Sequence, residues 1–154
     1  KNLWLQLKIT LQEDIPITKE LLDLLKHECK VLEHRNYDNL QEIIDNKNQL
    51  LAQLEKHATT RQLLLSSADF TDETSTLAIV SEQAPEVANA WKKLRQQWIQ
   101  CQELNEINDR ITKRTRLVID QVIDILRGNP NEDRLYTGNG STKASGSGHT
   151  IANI

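Results

Sequence analysis

Histidine and cysteine side chains are the first candidates for a metal or catalytic site, because both residue types bind metals and take part in catalysis. His27, Cys29 and His34 lie close together in the chain. If this segment is helical, the two histidines share a face while Cys29 points elsewhere. No second segment supplies the Glu-x-x-His pair that is typical of a di-iron bundle. We therefore expect no metal site.

Motifs for catalysis are also missing from the sequence. It contains no Gly-rich phosphate loop, no Gly-x-Ser-x-Gly, no Cys-x-x-Cys and no His-Glu-x-x-His. His57 lies among polar neighbours, and we expect it to be solvated. General acid–base catalysis needs groups that are fixed in a water-poor pocket, and a narrow helical bundle has few places for one. The sequence thus predicts a protein that is not an enzyme, with no catalytic residue and no cofactor.

The cysteines and two basic residues lie inside helical patterns. We interpret Cys29 and Cys101 as free, buried thiols of a reducing compartment, with a structural disulfide as the alternative. Lys47 and Arg61 fall on an apolar seam, where long cationic side chains usually extend along the edge of the core to reach water.

Composition limits the kinds of partner. The chain has 154 residues and a formal net charge of -3, with 19 Lys+Arg interspersed among 22 Asp+Glu. A nucleic-acid-binding protein would usually be basic on one face, so we expect no nucleic acid. No apolar run approaches the roughly 20 residues that cross a bilayer, and no signal peptide is visible. We expect a cytoplasmic protein without stable membrane insertion.

The distribution of helix breakers predicts long helices. All five glycines lie at or after position 128, and only two prolines precede it. We predict an all-α domain over residues 1–128, an elongated antiparallel bundle or coiled coil. Its three main helices should cover about 1–35, 38–66 and 85–127. Residues 67–84 should form a polar connection with a short helical turn at 76–81.

Two parts of this prediction stay open. Residues 1–16 alternate in polarity like a strand, but we favour a helix that is kinked or restarted at Pro16, since a lone strand would have no partner. At 33–38 the chain either reverses or continues as one helix. For a reversal, Asn36 would take the left-handed cap and Asp38 would begin the next helix.

The last helix carries the sharpest functional signal. Trp91 and Trp98 should anchor the core, and a buried amide at Asn105 or Asn108 would fix the helix register. This helix should outrun the second by about 20 Å. The excess length is apolar nearly all round, so either the first helix covers it or it is a docking surface. Its apolar residues are Leu117, Val118, Ile119, Val122, Ile123, Ile125 and Leu126.

Residues 129–154 differ in kind from the rest. Gly, Ser, Thr and Asn dominate 137–150, and such a segment cannot bury enough apolar surface to offset its ordering entropy. We predict a flexible tail. Its apolar islands, Leu135-Tyr136 and Ile151-Ala152 with Ile154, have the form of short binding motifs, although an incidental tail would look the same.

With this pattern, the chain resembles the FlgN family of bacterial flagellar export chaperones over almost its whole length. The residues that carry the resemblance are Glu33-x-x-x-x-Asp38-x-Leu40, Lys47-x-x-Leu50-Leu51-x-x-Leu54, Trp98-x-x-Cys101-Gln102-x-Leu104-Asn105-x-x-Asn108-x-x-Ile111, Leu126-Arg127-Gly128, Leu135-Tyr136-x-Gly138-x-Gly140 and Thr150-Ile151-Ala152. Asp109 departs from the family pattern, which often has glycine there.

The resemblance implies a chaperone that binds hook-associated proteins, prevents their premature assembly and delivers them to the flagellar type III export gate. We expect a monomer or weak dimer. The rivals are a structural coiled-coil scaffold, a helical-bundle enzyme or metal carrier, and a sister flagellar chaperone with another cargo. We expect the cargo to contact Val118, Val122, Ile125, Leu126, Leu135 and Tyr136, with Tyr136 also touching the export gate.

Overall fold

The computed structural model describes residues 2–128, which form four α-helices and no strand within that range. They are α1 (Asn2–Glu33), α2 (Leu40–Ser67), α3 (Glu73–Gln83) and α4 (Pro85–Leu126). The all-helical prediction is confirmed. The expected count of three helices missed α3, of which only a short turn was predicted. The tail prediction for 129–154 lies outside the described residues.

Interhelical contacts define the topology. Asn108 on α4 donates to the Leu25 carbonyl at 3.0 Å, and Lys8 pairs with Glu86 at 2.8 Å, so α1 and α4 run parallel. Lys47 on α2 pairs with Glu28 at 3.0 Å, whereas Arg61, further along α2, reaches back towards the start of α1. Helix α2 is therefore antiparallel to both, and the chain goes up, down and up again.

Helix α1 runs without interruption through Pro16, so the alternative of a restart at that residue is excluded. Proline removes the hydrogen bond to the carbonyl four residues earlier, which belongs to Gln12. Both residues are exposed, so water can satisfy that carbonyl. The buried face of α1 repeats every seven residues: Leu7, Leu11, Asp14, Thr18, Leu21, Leu25, Glu28 and Leu32.

The chain reverses between α1 and α2, which settles the alternative of one continuous helix. Arg35, not Asn36, takes the left-handed position, with φ of 53°. The Asn36 N–H donates to the Val31 carbonyl at 3.2 Å, the contact that closes a Schellman motif. Asn39, not Asp38, precedes the first turn of α2, and its side chain makes no capping hydrogen bond.

A second left-handed residue, Asp69 with φ of 62°, ends α2. The next residue, Phe70, packs its ring 5.5 Å from that of Trp4 at the start of α1. Asp72 then caps α3 by accepting from the Ser75 N–H at 2.9 Å, and this backbone hydrogen bond lowers the pKa of the Asp72 carboxyl. Together, the turn and cap let α3 fold back against α4, where Arg95 reaches Glu73.

The core consists of two apolar clusters along the bundle. The lower cluster joins α1, α3 and the start of α4 through Leu7, Leu11, Val80, Ala84, Val87, Ala88 and Leu94. The upper cluster joins α1, α2 and α4 through Leu21, Leu25, Leu54, Trp98 and Cys101. Trp98 is buried and Trp91 packs against the lower cluster, as predicted. Within residues 2–128, no helix has the length and apolarity needed to cross a bilayer.

Candidate docking surface at the end of α4

Helix α4 continues past the end of the bundle. It has 42 residues, against 32 in α1 and 28 in α2. Asn108 lies level with Leu25, eight residues before α1 ends at Glu33, so α1 ends roughly level with Arg116. The alternative that the first helix covers the excess length of α4 is therefore excluded. We call residues 117–126 the extension; at 1.5 Å per residue it adds about 15 Å.

The extension exposes large apolar side chains that no described helix covers. Four predicted cargo residues lie on it, with exposed fractions of 48% for Val118, 49% for Val122, 72% for Ile125 and 80% for Leu126. Their spacing of four, three and one residues places them on one stripe of the helix. The structure thus places these four together, while the predicted Leu135 and Tyr136 lie outside the described residues.

A pocket of about 380 Å³ opens at the foot of the extension, between α4 and the reversal that follows α1. Its apolar wall includes Leu32, Ile111 and Val118, and Val118 also belongs to the stripe. Three cations, Arg35, Arg110 and Arg114, line the same pocket, together with one carboxylate, that of Glu33. An apolar pocket rimmed with cations continues directly into the apolar stripe, a feature that the sequence analysis did not anticipate.

Deeper in the bundle, Asp14 on α1 is fully buried and pairs with two residues of α2. Its carboxylate accepts from the Arg61 guanidinium and lies 2.5 Å from Nδ1 of His57. The expectations for these two α2 residues are corrected here. Arg61 is buried rather than extended towards water, and His57 contacts a buried carboxylate rather than solvent alone.

A second polar cluster surrounds Glu28, fourteen residues further along α1. Lys47 donates to both carboxylate oxygens at 3.0 and 3.2 Å, so its ammonium group is engaged in the core rather than free at its edge. The Asn108 amide nitrogen donates to the Leu25 carbonyl at 3.0 Å and to Glu28 at 3.1 Å. The expected buried amide is therefore present, and it ties α4 to α1.

These two clusters share one spacing. Asp14 and Glu28 lie fourteen residues apart on α1, and Arg61 and Lys47 lie fourteen apart on the antiparallel α2. Sliding one helix by a heptad would leave buried charges without partners, which is strongly unfavourable. Their chemistry fixes helix register. Matched acids and bases at equal heptad spacing are the sequence signal that could have revealed them.

Neither cysteine is prepared for nucleophilic chemistry. Both thiols are free. Burial raises the pKa of Cys101 to about 12, and burial followed by the nearby Glu33 carboxylate raises the pKa of Cys29. A raised pKa keeps a thiol protonated and weakly reactive at neutral pH. The prediction of buried thiols is right for Cys101, but Cys29 is only half-buried.

A helical bundle with one exposed apolar helix end is typical of proteins that bind other polypeptides. Sequence comparison makes the class specific: the sequence model of the FlgN protein family matches residues 5–144. The chain belongs to this family. Membership implies a general role as a flagellar export chaperone that binds flagellar proteins, in a family of chaperones rather than enzymes.

A solved structure agrees with this assignment. A crystal structure from Pseudomonas aeruginosa, described as that of a flagella synthesis protein FlgN, is similar to this chain with a TM-score of 0.63 and 28% sequence identity. The similarity covers 69% of this chain and 85% of that one. No curated protein matches the sequence.

Proposed function

We propose that this protein is a cytoplasmic chaperone that binds hook-associated proteins, prevents their premature assembly and delivers them to the flagellar type III export gate. Family membership supports the general role. The observation that supports this particular form is the extension, whose apolar stripe stands clear of the described bundle. An unassembled amphipathic helix of the cargo needs a temporary apolar partner, and helix-against-helix docking supplies one.

The cargo site comprises the exposed stripe Val118, Val122, Ile125 and Leu126. We also assign Leu135 and Tyr136 to it, and we propose that Tyr136 contacts the export gate. For these last two residues the support is their position as an apolar island in a polar segment, together with the family resemblance.

The decisive test changes the stripe alone. We expect Val118→Asp with Val122→Asp to weaken binding of a purified hook-associated protein by at least about a hundredfold, because two carboxylates would be desolvated in an apolar contact. Isothermal titration calorimetry measures the affinity, and circular dichroism checks that helicity is kept.

The matched control places the same two aspartates elsewhere. Leu63 and Ile99 are also exposed apolar residues, at 66% and 45%, but they lie on α2 and within the bundle part of α4. We expect Leu63→Asp with Ile99→Asp to leave the affinity within about threefold of the original. Equal losses in both double variants would contradict the assignment of the stripe.

A chain ending at Gly128 tests the tail residues. If Leu135 and Tyr136 belong to the site, this version binds the same cargo more weakly than the full chain. Equal binding by both would keep the chaperone function and confine the site to the helices. If the truncated chain and the aspartate variant both bind cargo as tightly as the full chain, the proposed site is wrong altogether.

The scaffold alternative has one observation in its favour. The α4 seam continues in heptad steps of four and three residues into the exposed extension, through Ile111, Thr115, Val118, Val122 and Ile125, so two copies could pair along it. We expect a monomer or a weak dimer that cargo dissociates. Sedimentation at several protein concentrations distinguishes the chaperone from the scaffold, because a stable oligomer that persists with excess cargo would favour a scaffold.

A further inference from the structure

The pocket at the foot of the extension carries a net positive charge, three arginines against the one carboxylate of Glu33, in a chain that is anionic overall. The formal net charge of the protein is -3, yet residues 110–116 contain four cations and no acid. Arg110 and Arg114, from this stretch, line the pocket together with Arg35 from the reversal. Among residues 2–128, none of these three guanidinium groups forms an ion pair.

This arrangement carries two local costs. Arg110 and Arg114 are four residues apart on one helix, where like charges repel. Arg35 occupies a left-handed position, with φ of 53°, that glycine adopts without steric penalty. Observed strain of this kind marks a position where another requirement outweighs stability. The requirement that fits the pocket is a third cation beside Arg110 and Arg114.

We propose that this pocket holds the C-terminal end of the docked partner helix. The last four carbonyls of a helix lack intrahelical partners, and the helix dipole places partial negative charge there. An arginine fork can donate to those carbonyls and to an acidic side chain in the last turn. The inference rests on the proposed docking of a cargo helix, and it adds which end is held and by what chemistry.

The geometry also sets a direction. The apolar wall of Leu32, Ile111 and Val118 continues into the stripe, which runs from Val118 towards Leu126. A partner helix with its C-terminal end in the pocket and its apolar face on the stripe must run antiparallel to α4. Its earlier turns then lie beside Leu126.

Two double variants with the same change in charge test the pocket. Arg110→Gln with Arg114→Gln removes two cations that line it, whereas Lys113→Gln with Arg116→Gln removes two cations of the same stretch that do not. With a purified hook-associated protein, we expect the first pair to weaken binding about tenfold or more and the second by less than about threefold. The first pair should also flatten the decrease in affinity with added salt.

Arg35→Gly separates function from folding. Glycine relieves the left-handed strain, so the melting temperature should rise or stay level, while cargo binding weakens. A change that merely damaged the fold would lower both the melting temperature and the affinity for cargo.

The direction of the partner helix is tested by cross-linking. A photo-reactive amino acid at position 33 should capture the last turn of the cargo helix, and one at position 126 should capture earlier turns.

The outcomes separate this inference from the proposed function. If Arg110→Gln with Arg114→Gln binds like its control while Val118→Asp with Val122→Asp does not bind, the pocket assignment is wrong and the docking stripe stands. If the aspartate variant also binds normally, the proposed site itself fails. An effect of the arginine variants on self-association alone would make a second copy the occupant and overturn the inference.

Discussion

The bundle and the extension belong to the same helix, α4, yet they differ in what surrounds their apolar residues. Trp98 and Cys101 lie on the α4 seam at 5% and 0% exposure, under α1 and α2. Further along that seam, Val118 and Val122 are about half exposed. Apolar patterning is continuous across the two regions, so the length of the neighbouring helices determines which part becomes core and which part becomes surface.

Polar residues show the opposite distribution. The bundle buries Asp14, Glu28, Arg61 and Asn108, each with partners on another helix. The arginines beside the extension have no such ion-pair partners among the described residues. Buried pairs define one register within the chain, whereas unpaired cations beside an apolar stripe suit an anion on another chain. Four matched pairs of substitutions, one member in the bundle and one in or beside the extension, test the difference between these two regions.

The largest effect should come from Arg61→Met. It leaves the buried Asp14 carboxylate with His57 alone, and removing one partner of a buried pair costs about 3–5 kcal/mol. Arg116→Met, exposed on α4, should change the free energy of unfolding by less than about 0.5 kcal/mol. Urea denaturation followed by circular dichroism measures both. Recovery of most of the loss on adding Asp14→Leu would locate the cost in the unpaired carboxylate.

Next in size is a matched pair of leucines. Leu25 is fully buried in the upper cluster, and Leu126 is 80% exposed. We expect Leu25→Ala to lower the free energy of unfolding by about 2–5 kcal/mol, through lost burial and the cavity left behind. Leu126→Ala should change it by less than about 0.5 kcal/mol. Similar losses for both leucines in urea titrations would mean that the extension is part of the folded core.

The third comparison measures thiol reactivity in the bundle and in the extension, in the folded protein. In a Cys29→Ser background, Cys101 should react with a disulfide reagent at pH 8 at least about tenfold more slowly than a cysteine introduced by Val122→Cys.

Burial of Cys101 raises its pKa from 9.0 to about 12, so the folded state keeps a proton that the unfolded state loses. Stability from this group is present below pH 9 and is lost as the pH rises towards 12. Equal labelling rates in the native state would contradict the buried position.

The smallest effect compares two exposed glutamines on α4. Gln96→Gly lies within the bundle, where a glycine in a helix should lower the free energy of unfolding by about 0.5–1 kcal/mol. Gln121→Gly lies in the extension, so it should reduce helical signal at 222 nm slightly and leave the unfolding midpoint unchanged. A shift of the midpoint by Gln121→Gly as large as that by Gln96→Gly would show that the extension unfolds together with the bundle.

Much of the fold could be predicted from local patterns. The absence of glycine before 128 and the heptad seams predicted long helices, and Pro85 and Gly128 marked the limits of α4 to within a residue or two. Helix α3 was missed because it has only eleven residues and buries only Thr76 and Val80, too few positions for a helical period to show. Its cap, Asp72, was the available signal. At the reversal, Asn36 was expected in the left-handed position by propensity, but the chain places Arg35 there.

For the candidate site, residue types were predictable and neighbours were not. The apolar stripe of Val118, Val122, Ile125 and Leu126 follows from helical periodicity alone. Its exposure depends on where α1 ends relative to α4, and that offset comes from contacts between residues more than eighty positions apart, such as Asn108 with Leu25. The same distant contacts bring Arg35 beside Arg110 and Arg114.

The sequence by itself determined that this chain is helical, where its longest helix lies and which family it belongs to. Helical periodicity and family motifs can be recognised from residues that are close together in the sequence. Only the tertiary structure decided the parallel register of α1 with α4, the burial of the charged pairs and the protrusion of the extension. The physical reason is that burial and ion pairing depend on which helix lies opposite, and the chain fixes that choice through contacts far apart in sequence.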